Sequence, residues 1–148
     1  MKKFTLLIVL ISFSVLGQKN NYNLKKGFVA EGYDVVSYFN NKAEKGDKMF
    51  VSTFDGVKFK FSSKEHLEMF TKSPKKYIPA YGGYCAYAIG AKAEKVSIDP
   101  KTFEIRDGKL YLFYNSWGIN TLKLWQEEGA ETLKNKADKN WVNIIKKG

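Results

Sequence analysis

The stretch "MFVSTFDGVKFKF", residues 49–61, decides the fold. Apolar and polar residues alternate on both sides of Asp55-Gly56, a pair suited to the two-residue turn whose positive φ angles match strand twist. Closing a hairpin there sets Phe54 opposite Val57, Ser52 opposite Phe59 and Phe50 opposite Phe61. Val51 and Thr53 then face Lys60 and Lys58 on the other side. One face is apolar and the other half polar, the pattern of a sheet buried on one side.

The same reading applies to "TFEIRDGKLYLFYN" (102–115), which turns on Asp107-Gly108. Ile105 faces Leu110 and Phe103 faces Leu112 on the inner side. Glu104 with Tyr111, and Arg106 with Lys109, fall on the outer side. Helical patterns lie between and after the hairpins. Ser62-Ser63-Lys64-Glu65 has capping-box spacing, with Ser62 as N-cap, and opens a helix through Leu67 and Phe70 that stops before Pro74. A short helix is expected over Tyr84 to Ile89, with Gly90 as its C-terminal stop. Trp117 to Glu128 predicts another, carrying Leu122 and Trp125. Leu133, Ala137, Trp141 and Ile144 or Ile145 form the apolar stripe of a last helix. The expected class is α+β: a small antiparallel sheet of two hairpins packed with three to four helices.

The chain opens on "MKKFTLLIVLISFSVLGQ", with two lysines, an apolar run from Phe4 to Leu16 and small residues at Val15 and Gly17. That pattern is a secretory signal over residues 1–17. The apolar run is shorter than the roughly 20 residues a membrane span needs, so no stable span is expected once it is removed. The expected location is the periplasm or the exterior of a bacterial cell envelope. Residues 18–30 are polar and irregular, a flexible lead-in with structure beginning near "GYDVVSYF" (32–39). Residues 31–146 form a single domain, long enough to bury a core.

Of the 148 residues only Cys85 is a cysteine, so no internal disulfide forms and packing carries stability; aromatic residues make up 16%. The formal charge is +10, falling to +8 once Lys2 and Lys3 leave with the signal. These lysines are scattered and Arg106 is the sole arginine, which excludes a nucleic-acid interface built on arginine forks. A conventional hydrolase is also disfavoured. The only histidine is His66, no serine sits in a nucleophile elbow, and no glycine loop is shaped to cradle phosphate.

Several blocks line up in order: "GYDVVSYF", "FKFSSKEHLEMFTKSPKKYIPAYGGYCAYA" (59–88), Asp99-Pro100 followed by "DGKLYLFYN" (107–115), and a helix bearing Trp141. Together they resemble the secreted YHS-domain proteins over about residues 31–143. The resemblance implies a YHS-like core with a C-terminal helical extension, related to small treble-clef-like metal-binding modules. Members with metal ligands carry a cysteine in the first block and two in an F-C-S-x-x-C segment. Those positions fall on Ser37, Ser62 and His66 here. Hydroxyls are poor substitutes for thiolates, so the resemblance does not imply a closed zinc site.

Cys85 and His66 are the candidate ligands for copper or another soft metal ion. The implied function is a non-catalytic envelope protein that binds such an ion, or a metal-bearing ligand, through Cys85. Two other readings stand beside it: a thiol redox or redox-sensing protein using Cys85, and an interaction module in which Cys85 is core. Tyr81, Gly82, Gly83, Tyr84 and Tyr87, around the cysteine, are the candidate pocket residues. Tyr81, Tyr84 and Tyr87 join Tyr77, Tyr111 and Tyr114 in a tyrosine cluster that could line a pocket for an aromatic ligand or haem, although such residues are more often core with their hydroxyls satisfied at the rim.

Overall fold

The computed structural model describes residues 21–148; the expected signal over 1–17 and residues 18–20 lie outside the described residues. Two short strands, β1 (Leu24–Lys25) and β2 (Phe28–Val29), precede the first hairpin, formed by β3 (Asp47–Phe54) and β4 (Val57–Phe61). Ordered structure therefore starts earlier than the polar composition of residues 18–30 suggests. Val29 is fully buried, and β2 joins β4 in parallel with Phe28 opposite Lys58. The sheet runs in the order β1-β2-β4-β3.

Asp55 and Gly56 take φ of 56° and 77°, and the hairpin closes on them. Phe54 meets Val57 and Ser52 meets Phe59, as the alternation requires. Phe61, however, pairs with Asp47 rather than Phe50, because the register shifts between Asp47 and Val51. The Asp47 carboxylate stabilises that bulge by accepting from the Met49 N–H at 2.8 Å. Val57, Phe59 and Phe61 are buried and Lys58 is exposed, so this sheet has one wet face.

The second hairpin, β5 (Asp99–Arg106) with β6 (Lys109–Phe113), has the expected turn and register. It forms its own two-stranded sheet rather than joining the first. Its outer face is not solvent-facing: Tyr111 is buried along with Phe113. The reason lies in the helices that cover it. Leu110 and Leu112 enter a core with Val57, Phe59, Phe61 and Phe70, while Tyr111 and Phe113 enter a second core with Trp125, Leu133 and Ala137. Strand β6 is thus the layer shared by both.

Five helices are present among the described residues. Helix α1 (Lys64–Lys72) is capped by Ser63, whose hydroxyl accepts from the His66 N–H, and not by Ser62. A short α2 (Pro74–Tyr77) begins on its proline. Helix α3 (Ala86–Lys92) starts two residues later than expected and ends on Ala93 in the left-handed region. Gly90 lies inside it, not at its end. A Cβ there would stand 2.6 Å from the Leu133 carbonyl oxygen, so this glycine permits close contact between α3 and the last helix. A small hairpin, β7 (Asn115–Ser116) and β8 (Ile119–Asn120), turns on Trp117-Gly118 and displaces the expected helix start. Helix α4 (Thr121–Glu128) is capped by Asn120, and α5 (Ala130–Lys147) buries Leu133 and Ala137. No described helix is long and apolar enough to cross a membrane.

Candidate functional site

Cys85 is 0% exposed. It stands at the N-cap of α3, where its N–H donates to the Val96 carbonyl at 3.0 Å. Its Sγ lies 3.3 Å from Thr121 Oγ1, and that hydroxyl donates to the Tyr114 carbonyl at 2.7 Å. Threonine has one hydroxyl proton. With that proton on Tyr114, the contact is made by the S–H donating to Thr121, a bond that a thiol makes and a thiolate cannot.

His66 sits elsewhere, in a polar cluster centred on Asp34. The Asp34 carboxylate is fully buried and saturated. Its Oδ1 accepts from the N–H groups of Val36 and Ser37, at 2.9 and 3.2 Å. Its Oδ2 accepts from the N–H and O–H of Ser62, at 2.8 and 2.7 Å, and from His66 Nδ1 at 2.6 Å. Burial works to raise the Asp34 carboxyl, but the bonds from Ser62 and the bond and charge of His66 outweigh it and hold it below its usual range. Ser37 donates to Glu44 Oε2 at 2.9 Å and lies 3.4 Å from His66 Nδ1; Ser62 Oγ lies 3.5 Å from the same atom. The three positions that the resemblance aligns with metal-binding cysteines therefore meet in space. Among the described residues, Cys85 and His66 share no hydrogen-bond partner, and no group of three or more His, Cys, Asp or Glu side chains is placed to hold a metal ion. Each of the two candidate ligands is engaged by its own neighbours, His66 by Asp34 and Cys85 by Thr121.

The tyrosine-glycine segment does form part of a cleft. An open cavity of about 580 Å³ is lined by Tyr22, Tyr81, Gly82, Tyr111 and Trp141, with Ile78, Pro79 and Ile145 adding apolar surface. Tyr81, Gly82 and Gly83 are three successive residues at positive φ, of 56°, 61° and 83°. The cause is the N-terminal segment crossing them: Asn23 N–H donates to the Gly82 carbonyl at 2.9 Å, and a Cβ on Gly82 would fall 1.8 Å from the Asn21 oxygen. Tyr81 tolerates a conformation unfavourable for a bulky side chain because its ring packs against Tyr111 and Trp141 and its hydroxyl donates to Asp138 at 2.8 Å.

Of the other expected pocket residues, Gly83 sits where an added Cβ would meet Pro79 and Val29, and Tyr84 donates to the Tyr22 carbonyl at 3.3 Å. Tyr87 points to Glu128, 2.9 Å away. None of these three lines the cleft. The residues that complete it, Tyr22, Asp55, Lys75, Lys109, Asp138 and Trp141, come from distant parts of the chain, and no local motif marks them.

The cleft's electrostatics follow from its pairs. Asp55 accepts from the Tyr22 hydroxyl at 2.9 Å, as Asp138 does from Tyr81. Burial, then the bonded aspartate, pushes both phenols well above their usual value, and burial then the Asp138 charge raises Tyr111 to about 12. All three are neutral donors at physiological pH. Lys75 and Lys109 are exposed at the rim and have no ion-pair partner among the described residues.

Comparison of the chain with family models, with curated proteins and with solved structures finds no match.

Proposed function

We propose that this protein is a non-catalytic binding protein of the cell envelope, with the aromatic cleft as its ligand seat. The observation that carries this reading is the cleft's construction. Four aromatic side chains from four separate segments line one open cavity of a size that suits a small organic molecule. The two carboxylates within it are already engaged by phenols, which leaves them as poor acid or base catalysts. The meeting of Ser37, Ser62 and His66 supports descent from a YHS-like metal module whose thiolates have been replaced. In place of a metal, Asp34 gathers the donors.

On this reading Cys85 belongs to the framework. Soft-metal binding and thiol redox chemistry both need a reachable sulfur, whereas Cys85 is enclosed and donates to Thr121. Saturation-transfer NMR with a library of small aromatic compounds, on the wild type and Trp141→Ala, tests the cleft. Binding that depends on Trp141 is expected; hits indifferent to Trp141, or none, would remove the reading. Anaerobic titration with Cu(I) tests the rival: Cys85-dependent affinity tighter than micromolar, lost in Cys85→Ser, would restore the metal function.

A further inference from the structure

A second open cavity, of about 300 Å³, shares no lining residue with the aromatic cleft. Four lysines line it, Lys25, Lys26, Lys45 and Lys60, against a single carboxylate, Glu31. Glu31 Oε1 sits 2.9 Å from Lys25 Nζ and offsets one charge. Two more acids are close in sequence, but their carboxylates are bound elsewhere. Glu44 accepts from Ser37 and Ser62, and Asp99 from the Lys101 N–H and the Thr102 hydroxyl. Neither lines the cavity. The excess of positive charge is therefore local.

The fold holds these lysines together against their mutual repulsion. Lys26 and Gly27 make the turn between β1 and β2, at φ of 52° and 85°, positions for which Asn-Gly is the favoured pair. Ala30 and Glu31 follow in the same left-handed region, at 53° and 54°. Lys45 bridges to Tyr33, and the next residue, Gly46, lies so close to Lys60 that an added Cβ would collide with it. Lys60 Nζ stands 4.2 Å from the centre of the Phe28 ring. Three non-glycine residues thus hold a conformation costly to side chains beside one basic cavity, and such strain gathers at ligand sites.

We propose that this cavity binds a phosphate monoester group, carried by a soluble molecule or by a lipid headgroup. The ammoniums arrive from three segments, β1 with its turn, the loop before β3, and β4. They address a group with oxygens on several sides better than a planar carboxylate. A dianion also offsets more of the excess than a monoanion does. Lys25 and Lys60 are positioned in advance by Glu31 and Phe28. Lys26 and Lys45 are exposed, with no ion-pair partner among the described residues, and supply the unpaired charge.

The test is calorimetric titration of the purified protein with glycerol 3-phosphate and with acetate at matched ionic strength. Co-sedimentation with phosphatidylcholine vesicles, with and without phosphatidic acid, separates the two sources. Glycerol 3-phosphate carries no ring for the aromatic cleft. It is expected to bind at least about tenfold more tightly than acetate. Lys26→Gln/Lys45→Gln should lose that advantage. Lys136→Gln/Lys139→Gln, which removes the same charge from exposed positions on α5, should keep it. Binding of the soluble ester alone assigns a soluble ligand; sedimentation that needs phosphatidic acid, and is lost only in the Lys26/Lys45 variant, assigns a lipid headgroup. The proposal is overturned if acetate matches the ester, if the two lysine variants weaken binding alike, or if neither the ester nor the phosphatidic-acid vesicles bind. Relief of repulsion should let the Lys26/Lys45 variant melt no lower than wild type at low salt, so its lost binding is not lost folding.

Discussion

Asp34 Oδ2 lies 2.6 Å from His66 Nδ1, and the same oxygen accepts twice from Ser62. One carboxylate thus ties the 34–37 loop, the end of β4 and the first turn of α1 into a single joint. Breaking such a joint by removing the central charge leaves several buried donors without an acceptor, which is more costly than deleting any one donor.

Asp34→Asn is therefore expected to cost about 3 kcal/mol at neutral pH, and Ser37→Ala about 1 kcal/mol. The pH dependence has a definite sign. The native Asp34 carboxyl is held below the ordinary 3.8, so its stabilisation is complete above that value. It is lost as pH falls through the lower native pKa. Urea unfolding from pH 7 to 2 should show the wild type losing its advantage over Asp34→Asn only below about pH 4. A constant gap across the range would contradict the role given to this carboxylate.

The glycines separate two physical effects. At Gly82 an added Cβ would lie 1.8 Å from the Asn21 oxygen, and at Gly90 2.6 Å from the Leu133 oxygen. At Gly118 nothing stands within 4 Å, and only its φ of 76° opposes a side chain. Gly90→Ala gains about 1 kcal/mol of helix propensity, yet it is expected to destabilise by about 1–2 kcal/mol net, because backbone cannot move aside as a side chain can. Gly82→Ala should cost more than Gly90→Ala, and Gly118→Ala about 1 kcal/mol. Thermal melting of the three variants gives the order directly; a Gly90→Ala protein more stable than wild type would mean that the α3–α5 contact relaxes freely.

Both hairpins were legible because a turn dipeptide fixes register locally, so Phe54 had to meet Val57 and Ile105 had to meet Leu110. The bulge near Asp47 was not, since it depends on a side chain bonding its own backbone two residues on. Burial of Tyr111 was misjudged for a related reason. Alternation identifies two faces, but not whether a second layer from α4 and α5 will cover the outer one. In the cleft, Tyr81 and Gly82 could be picked out from their surroundings. Lys75, Lys109 and Asp138 could not, because only the folded chain brings them together. The resemblance marks His66, whereas its partner Asp34 lies 32 residues away and only the folded chain joins the two.

Cys85 offers a kinetic prediction. An enclosed thiol reacts only when the structure opens, so labelling follows the opening equilibrium rather than the reagent. Labelling of the native protein by a small aromatic disulfide should be at least ~100-fold slower than labelling in denaturant. It should accelerate on addition of sub-denaturing urea. Cys85→Ser keeps a donor for Thr121 and is expected to cost about 1 kcal/mol. Fast labelling of the native state would mean that the sulfur is reachable in solution and would reopen the redox reading.

Trp117 is 93% exposed at the tip of the β7–β8 hairpin, with φ of 52° ahead of Gly118 at 76°. That is a two-residue turn needing positive φ at both positions, for which Asn-Gly is the favoured pair. An indole-bearing residue is strained there, and so great an exposure leaves little packing to compensate. Trp117→Asn is therefore expected to stabilise the protein by about 1 kcal/mol, raising the melting temperature by a few degrees. The substitution leaves the cleft lining untouched, since Trp117 is not among its residues, so binding of small aromatic compounds should be unaffected. A drop in stability would instead indicate that the indole is anchored in solution by contacts the strand pairing alone does not explain.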